Sequence, residues 1–169
     1  MNRIFALGAM AFILILADQV SKSAIVDSIA YGDSVVVIDG FFNLAHVRNT
    51  GAAFGIGQGS TELVRQLFFL YLPVVFCFWI LVMFYKTAQG PLHNSFAYAL
   101  ILAGAIGNLI DRFRLGYVVD MLMFYWKKEE HHFHVFNVAD SCVTVAAILL
   151  IYDFVIQHRE KRLQAQGDV

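Results

Sequence analysis

From Leu67 to Tyr85 the chain carries no charged residue, and from Leu92 to Ile110 the only exception is the possible charge of His93. A bilayer's hydrocarbon core needs about 20 apolar residues of helix, so uninterrupted runs of this length read as spans. Two more runs qualify. Ile4 to Val20 is apolar until Asp18, and Val135 to Ile156 is apolar but interrupted by polar residues. The other spanning solution, a closed barrel, would show alternating segments of about ten residues. The expectation is an all-α membrane protein of four helices, over about 4–20, 67–85, 92–110 and 135–156, with loops over about 21–66 and 111–134.

Composition agrees: 59% of the residues are hydrophobic and 15% charged, where a soluble domain carries about a quarter charged. The formal net charge of -1 leaves no basic excess for a nucleic-acid backbone, so no nucleic acid is expected as partner. Cys77 and Cys142 both lie inside apolar runs, which argues against a disulfide framework. Met1-Asn2-Arg3 ahead of an apolar stretch looks like a secretory signal, but Ser21-Lys22-Ser23-Ala24 is a poor cleavage site, so the segment is expected to stay. With no cysteine near it, the chain is not expected to be a lipoprotein precursor itself. No internal repeat or linker divides residues 1–169, so a single domain is expected.

Four spans put both long loops on one face and both termini with the short loop on the other. Arg3, Lys86, Arg159, Lys161 and Arg162 fall on the short-loop face, against Lys22, Arg48, Arg65, Arg112, Arg114, Lys127 and Lys128 across from them. A bare count does not orient the chain. The density of positive charge in the small short-loop face, above all in the tail, assigns that face to the cytoplasm. In the first long loop, Ser34 to Leu44 is β-branched and aromatic and broken by Asp39-Gly40, which predicts a strand and turn. Tyr117 to Val119 and Met123 to Trp126 can add strands, giving a small extracytoplasmic sheet.

Several polar residues stand where lipid would not tolerate them. Asn137, Asp140, Ser141 and Thr144 have helical spacing and form one stripe at the start of the fourth helix, which must face protein or water. An intramembrane carboxylate is a functional hypothesis by default, its bland alternative being helix-packing glue. Ala99, Ala103 and Gly107 recur four apart on the third helix, a packing face, and lead into Asp111. Gly104, Asn108 and Arg112 form the adjacent row. Asp111 and Arg112 read either as an interfacial ion pair or as part of a site. Asp18 and Lys22 are i, i+4, the favourable acid-to-base order. By parity Asp18, Asp111, Asp120 and Asp140 all converge on the long-loop side.

Other chemistries lack their signatures. Glu129 to His134 holds acids and histidines, yet neighbouring residues of one turn rarely all point at one ion, and neither HExxH nor paired CxxC occurs. A solvated loop beside interfacial Trp126 is the preferred reading, and no metal or other cofactor is expected. No GxSxG elbow is present, and nothing beside Cys77 would activate its thiol. Carboxylates remain. Two aspartates sharing a proton can activate water, one taking its proton while the other donates to a scissile carbonyl. A proton relay in a transporter is the rival reading, but four spans without an inverted repeat or paired broken helices do not favour it. A purely structural scaffold would tolerate Asn at these positions.

Five blocks of this chain resemble the motifs of the lipoprotein signal peptidase (signal peptidase II) family. They are Asp18-Gln19-Val20-Ser21-Lys22, Asn49 to Phe54, Gly104 to Arg112, Val118-Val119-Asp120 and Phe136 to Ser141, in family order. Met121 stands where many members have Phe, an apolar exchange. The resemblance implies a bacterial inner-membrane aspartyl endopeptidase of four helices with an extracytoplasmic β-cradle. It would cleave the signal peptide of a prolipoprotein before a cysteine already bearing diacylglycerol, and globomycin would occupy the site. Carried over by motif position, Asp120 and Asp140 are the catalytic pair. Asp18, Lys22, Asn49, Asn108, Arg112 and Asn137 support the site or contact substrate, and Asp111 lies in a motif as well. The residue types suit this work: Asn49 and Asn137 can orient a carboxylate or carbonyl, and Gly51, Ala52 and Ala53 leave room for a substrate backbone.

Overall fold

The computed structural model describes residues 3–51, 61–87, 90–126, 131–132 and 134–167. In chain order these form α1 (Arg3–Ser28), β1 (Ser34–Ile38), β2 (Phe42–Asn49), α2 (Glu62–Gln66), a π-helical turn (Leu67–Tyr71), α3 (Leu72–Thr87), α4 (Leu92–Leu115), β3 (Val118–Trp126), β4 (His131–His132) and α5 (Val138–Gly167). Among the described residues, four helical stretches are long and apolar enough to cross a membrane: Arg3–Ser28, Leu67–Thr87, Leu92–Leu115 and Val138–Gln164. The expected four-helix membrane architecture with a small sheet is present.

The helices outrun their apolar stretches, so the loops are shorter than expected. α1 continues past Val20 to Ser28 because Ile25 and Ile29, one turn apart, pack on Val119 and Met121 of the sheet. α4 passes Ile110 and stops at Gly116, whose left-handed φ of 79° lets its N–H reach the Arg112 carbonyl at 3.1 Å. α5 starts later than expected, at Val138, since Phe136 is occupied in a bridge to Leu122 and Asn137 caps the helix. Bilayer thickness limits how much of a helix must be apolar; it does not say where the helix ends.

α4 is the central helix. Its small residues work as the spacing predicts: a Cβ on Gly104 would collide with the Ala139 carbonyl and lie 2.6 Å from Val143 Cγ2. One on Gly107 would lie 2.8 Å from Asp18 Oδ2 and 3.2 Å from Ala139 Cβ. Glycine thus lets α1 and α5 meet on α4 at close range. At the opposite end, His93 and Asn94 of α4 both bond Asp153 of α5. Arg3 reaches the Gly90 carbonyl at 2.8 Å.

The sheet is antiparallel in the order β1-β2-β3-β4. Val47 pairs with Asp120, and Asn49 with Val118. A register shift between Leu44 and Val47 marks an irregularity there. On the Phe42 side of it, Phe42, Phe124 and Phe136 stack, with ring centroids 4.8 and 5.9 Å apart. Cross-strand aromatic contacts of this kind stabilise a small sheet that has little core of its own.

Candidate active site

Asp140 lies in the first turn of α5, and local sequence explains how it is held. Asn137 Oδ1 accepts the Asp140 N–H at 2.9 Å, and Asp140 Oδ2 accepts the Asn137 N–H at 3.2 Å. This is a reciprocal capping box, with Asp in the place of the usual Glu. The other Asp140 oxygen accepts Asn108 Nδ2 at 2.8 Å, tying the acid to α4.

Asp120 approaches from the sheet. Its Oδ1 accepts Asn137 Nδ2 at 2.8 Å and its Oδ2 accepts Asn49 Nδ2 at 3.0 Å. Asn137 Nδ2 also lies 3.1 Å from Asn108 Oδ1. Two asparagines therefore link the two acids: Asn137 touches both, and Asn108 joins Asn137 to Asp140. Asp120 and Asn137 are buried, and Asp140 is half-buried. Burial pushes the Asp120 carboxyl up to about 7, repulsion from Asp140 adds to this, and the Asn49 and Asn137 bonds with the Lys22 charge oppose it. Desolvation, more than like-charge repulsion, is the first cause of the shift.

Around the pair stands a ring of supports. Asn49 Oδ1 accepts the Gly51 N–H at 3.0 Å, a local turn that aims the asparagine amide at Asp120. The Gly51 carbonyl accepts Arg112 Nη2 at 3.2 Å, and the Arg112 guanidinium lies 6.0 Å from the centre of the Phe69 ring in the π-helical turn. Lys22 Nζ lies 2.8 Å from Asp18 Oδ2 and 3.0 Å from Asp111 Oδ2. Both oxygens of Asp111 are thereby engaged away from Arg112, because Gln19 Nε2 reaches Oδ1 at 3.0 Å and the Val119 N–H reaches Oδ2 at 3.0 Å.

All ten residues singled out in the sequence come together here. The polar stripe on α5 does not stay whole. Ser141 Oγ and Thr144 Oγ1 bond carbonyls one turn back, at 2.9 Å each, and only Asn137 and Asp140 turn to the site. Gln19 is the residue that sequence reasoning did not single out, although it sits inside the first motif block. Of the acid and histidine cluster, Glu129, Glu130 and Phe133 lie outside the described residues, as do the side chains of His131 and His132, and Ala52 to Phe54 lie outside them too. Among the described residues there is no group of three or more His, Cys, Asp or Glu arranged to hold a metal ion.

One expected result follows from the Asp120 environment. Because Asn49 donates to the ionised carboxylate, Asn49→Leu should move the alkaline limb of the activity profile upward from near 7. Activity against pH at fixed micelle composition measures this. A downward shift would contradict the assigned hydrogen bond, and activity flat above that limb would redirect attention to a histidine such as His46.

Comparison with known proteins gives the family. Residues 10–156 match the family model for signal peptidase (SPase) II. The chain is 44% identical over 140 residues to the lipoprotein signal peptidase of Desulforapulum autotrophicum, covering 83% of this chain and 85% of that one. It is 37% identical over 151 residues to that of Syntrophus aciditrophicus, covering 89% and 92%. A bacterial membrane enzyme solved by the in meso method at 2.3 Å superposes with a TM-score of 0.83 at 34% identity, over 95% of this chain and 96% of that one. With its four apolar helices this is a bacterial membrane protein, and it belongs to the signal peptidase II family of lipoprotein signal peptidases.

Proposed function

We propose that the chain is an aspartic endopeptidase, one membrane domain over residues 1–169, in which Asp120 and Asp140 activate water against a prolipoprotein. The observation that carries this reading is the Asn137 amide, which donates to Asp120 while the same residue caps Asp140. The carboxyl pushed up to about 7 is the natural proton holder, so Asp120 is the acid and Asp140 the base. Asp140 takes a proton from water as its oxygen attacks the carbonyl carbon before the lipidated cysteine, and Asp120 donates to the carbonyl oxygen. The tetrahedral diol then collapses. The C–N bond breaks as Asp140 returns its proton to the departing amine nitrogen and Asp120 takes one from a diol hydroxyl, so a carboxyl product forms and the dyad again holds one proton.

The substrate is a diacylglyceryl-modified prolipoprotein whose lipid remains in the bilayer, which is why the acids belong where helix meets sheet, Asp140 in the first turn of α5 and Asp120 on β3. A globomycin-type cyclic peptide would occupy the same cleft. In liposomes the purified protein should cut a synthetic peptide on the amino side of a diacylglyceryl cysteine, with products identified by mass. Equal cutting of the unmodified peptide would remove the lipid from the reading, and proton flux without cutting would favour a transporter.

The orientation belongs to the same proposal: bacterial inner membrane, both termini cytoplasmic, site near the outer face. In spheroplasts, Asp33→Cys should react with an impermeant maleimide and Gln166→Cys should not. The reverse pattern would invert the topology.

A further inference from the structure

The two acids of the dyad share a feature outside their own side chains. The backbone N–H of the residue immediately before each one is held by a buried carboxylate: Ala139 by Asp18 Oδ1 at 2.9 Å, and Val119 by Asp111 Oδ2 at 3.0 Å. Asp18 thereby binds an otherwise free donor at the α5 N-terminus, and Asp111 fixes the start of β3. Lys22 joins the two carboxylates, at 2.8 and 3.0 Å, and donates to Asn108 Oδ1 at 3.0 Å, whose amide in turn holds Asp140. Gln19 Nε2 lies between the same two acids, 3.2 Å from Asp18 Oδ2 and 3.0 Å from Asp111 Oδ1.

We infer that Asp18, Lys22 and Asp111, bridged by Gln19, form a positioning unit that sets the separation of Asp120 and Asp140 through the backbone preceding each, and do not contact substrate. The inference rests on the dyad reading above. An ammonium has three donors, and Lys22 has three partners. Every oxygen of Asp18 and Asp111 is likewise engaged. Asp18 is 1% exposed and Lys22 and Asp111 3%, which leaves these three almost no surface to offer a peptide, while Gln19 is half-buried. Gly107 belongs to the same design, since a Cβ there would press on Asp18 Oδ2 at 2.8 Å. A buried lysine between two acids couples α1, α4, α5 and β3 into one geometry. Removing it leaves two carboxylates uncompensated, which a low-dielectric interior opposes strongly.

The test uses the whole enzyme in fixed micelles with a diacylglyceryl peptide, comparing wild type, Gln19→Leu, Lys22→Met and Asp120→Asn. Misplacing reacting groups by a fraction of an ångström acts on turnover, so kcat should fall about tenfold in Gln19→Leu and about a hundredfold in Lys22→Met, with KM changed less than about threefold. Gln19→Leu removes no charge, so its pH profile reports geometry: acids held less closely interact less, and the two limbs should draw together. A rise in KM with kcat kept would make these residues substrate contacts and overturn the inference. So would limbs in Gln19→Leu that stay at their wild-type positions while activity falls only in step with the folded fraction. If Lys22→Met does not fold, Gln19→Leu decides alone. Cleavage by Asp120→Asn would bring down the dyad itself and this inference with it.

Discussion

Asp120→Asn and Asp140→Asn are each expected to leave a folded protein that no longer cleaves, with kcat lower by about a thousandfold or more, since each substitution removes one half of the proposed general acid–base pair. Asn keeps the volume but cannot exchange the proton. The structural cost is modest and differs between the two. Asp120 accepts two side-chain amides, and an amide in its place can accept at only one end, so one bond is lost at about 1 kcal/mol. Asp140 would lose either the Asn108 amide or the return bond of the capping box. Near-full turnover in either purified variant would end the dyad mechanism.

Wild type and Asp120→Asn should also differ in how stability depends on pH. The Asp120 carboxyl stands at about 7 in the fold against 3.8 in its ordinary state, so the folded protein favours the protonated form. That contribution is fully present below the unfolded value and is lost as pH rises through the folded one. Between those two values wild type should therefore lose stability relative to Asp120→Asn, which has no such proton to release. Thermal midpoints of both proteins against pH would show it, and parallel curves would refute it.

Asn137→Ala is expected to have the second largest effect, because one side chain performs two tasks. As N-cap it accepts the Asp140 N–H, and a cap is worth about 1 kcal/mol. As donor it reaches Asp120 and lies within reach of Asn108, so its removal leaves a buried carboxylate with one side-chain partner and frees the contact between the two acids. Activity should fall about a hundredfold, the scale of losing geometric control at reacting groups. Stability should fall by about 2 kcal/mol once the unsatisfied partners are included. Asn137→Asp, which keeps the cap acceptor but places a third carboxylate 2.8 Å from an Asp120 oxygen in a buried site, should restore neither activity nor stability. If Asn137→Ala cleaves at the wild-type rate, the bridge between the acids has no bearing on catalysis.

Much of this is legible in the amino-acid sequence. Apolar runs of bilayer length announce four helices because lipid offers the backbone no partner, and the β-branched segments around Asp39-Gly40 and Val118 announce the sheet for local reasons. The small residues at 99, 103 and 107 announce a packing face, which α4 uses as the centre of the bundle. Carboxylates at membrane depth announce a site, because nothing else repays their desolvation.

What sequence spacing could not supply was the pairing. Asp111 next to Arg112 invites a local ion pair, yet the fold turns Asp111 to Lys22 on another helix and Arg112 to the Gly51 carbonyl. Ser141 and Thr144 share a stripe with Asp140 but bond their own helix, while Asn137, three residues before Asp140, reaches across to the sheet. Periodicity determines which way a residue faces on its own element. It carries nothing about which partner from a distant element fills the facing space. The sequence by itself determined the spans, the strands and the polar residue types. Only tertiary structure decided that α1 would cap α5, that β3 would bring Asp120 to Asn137, and that one buried lysine would hold them together. Those contacts join residues far apart in the chain, and buried polar groups accept whatever arrangement satisfies all their hydrogen bonds at once.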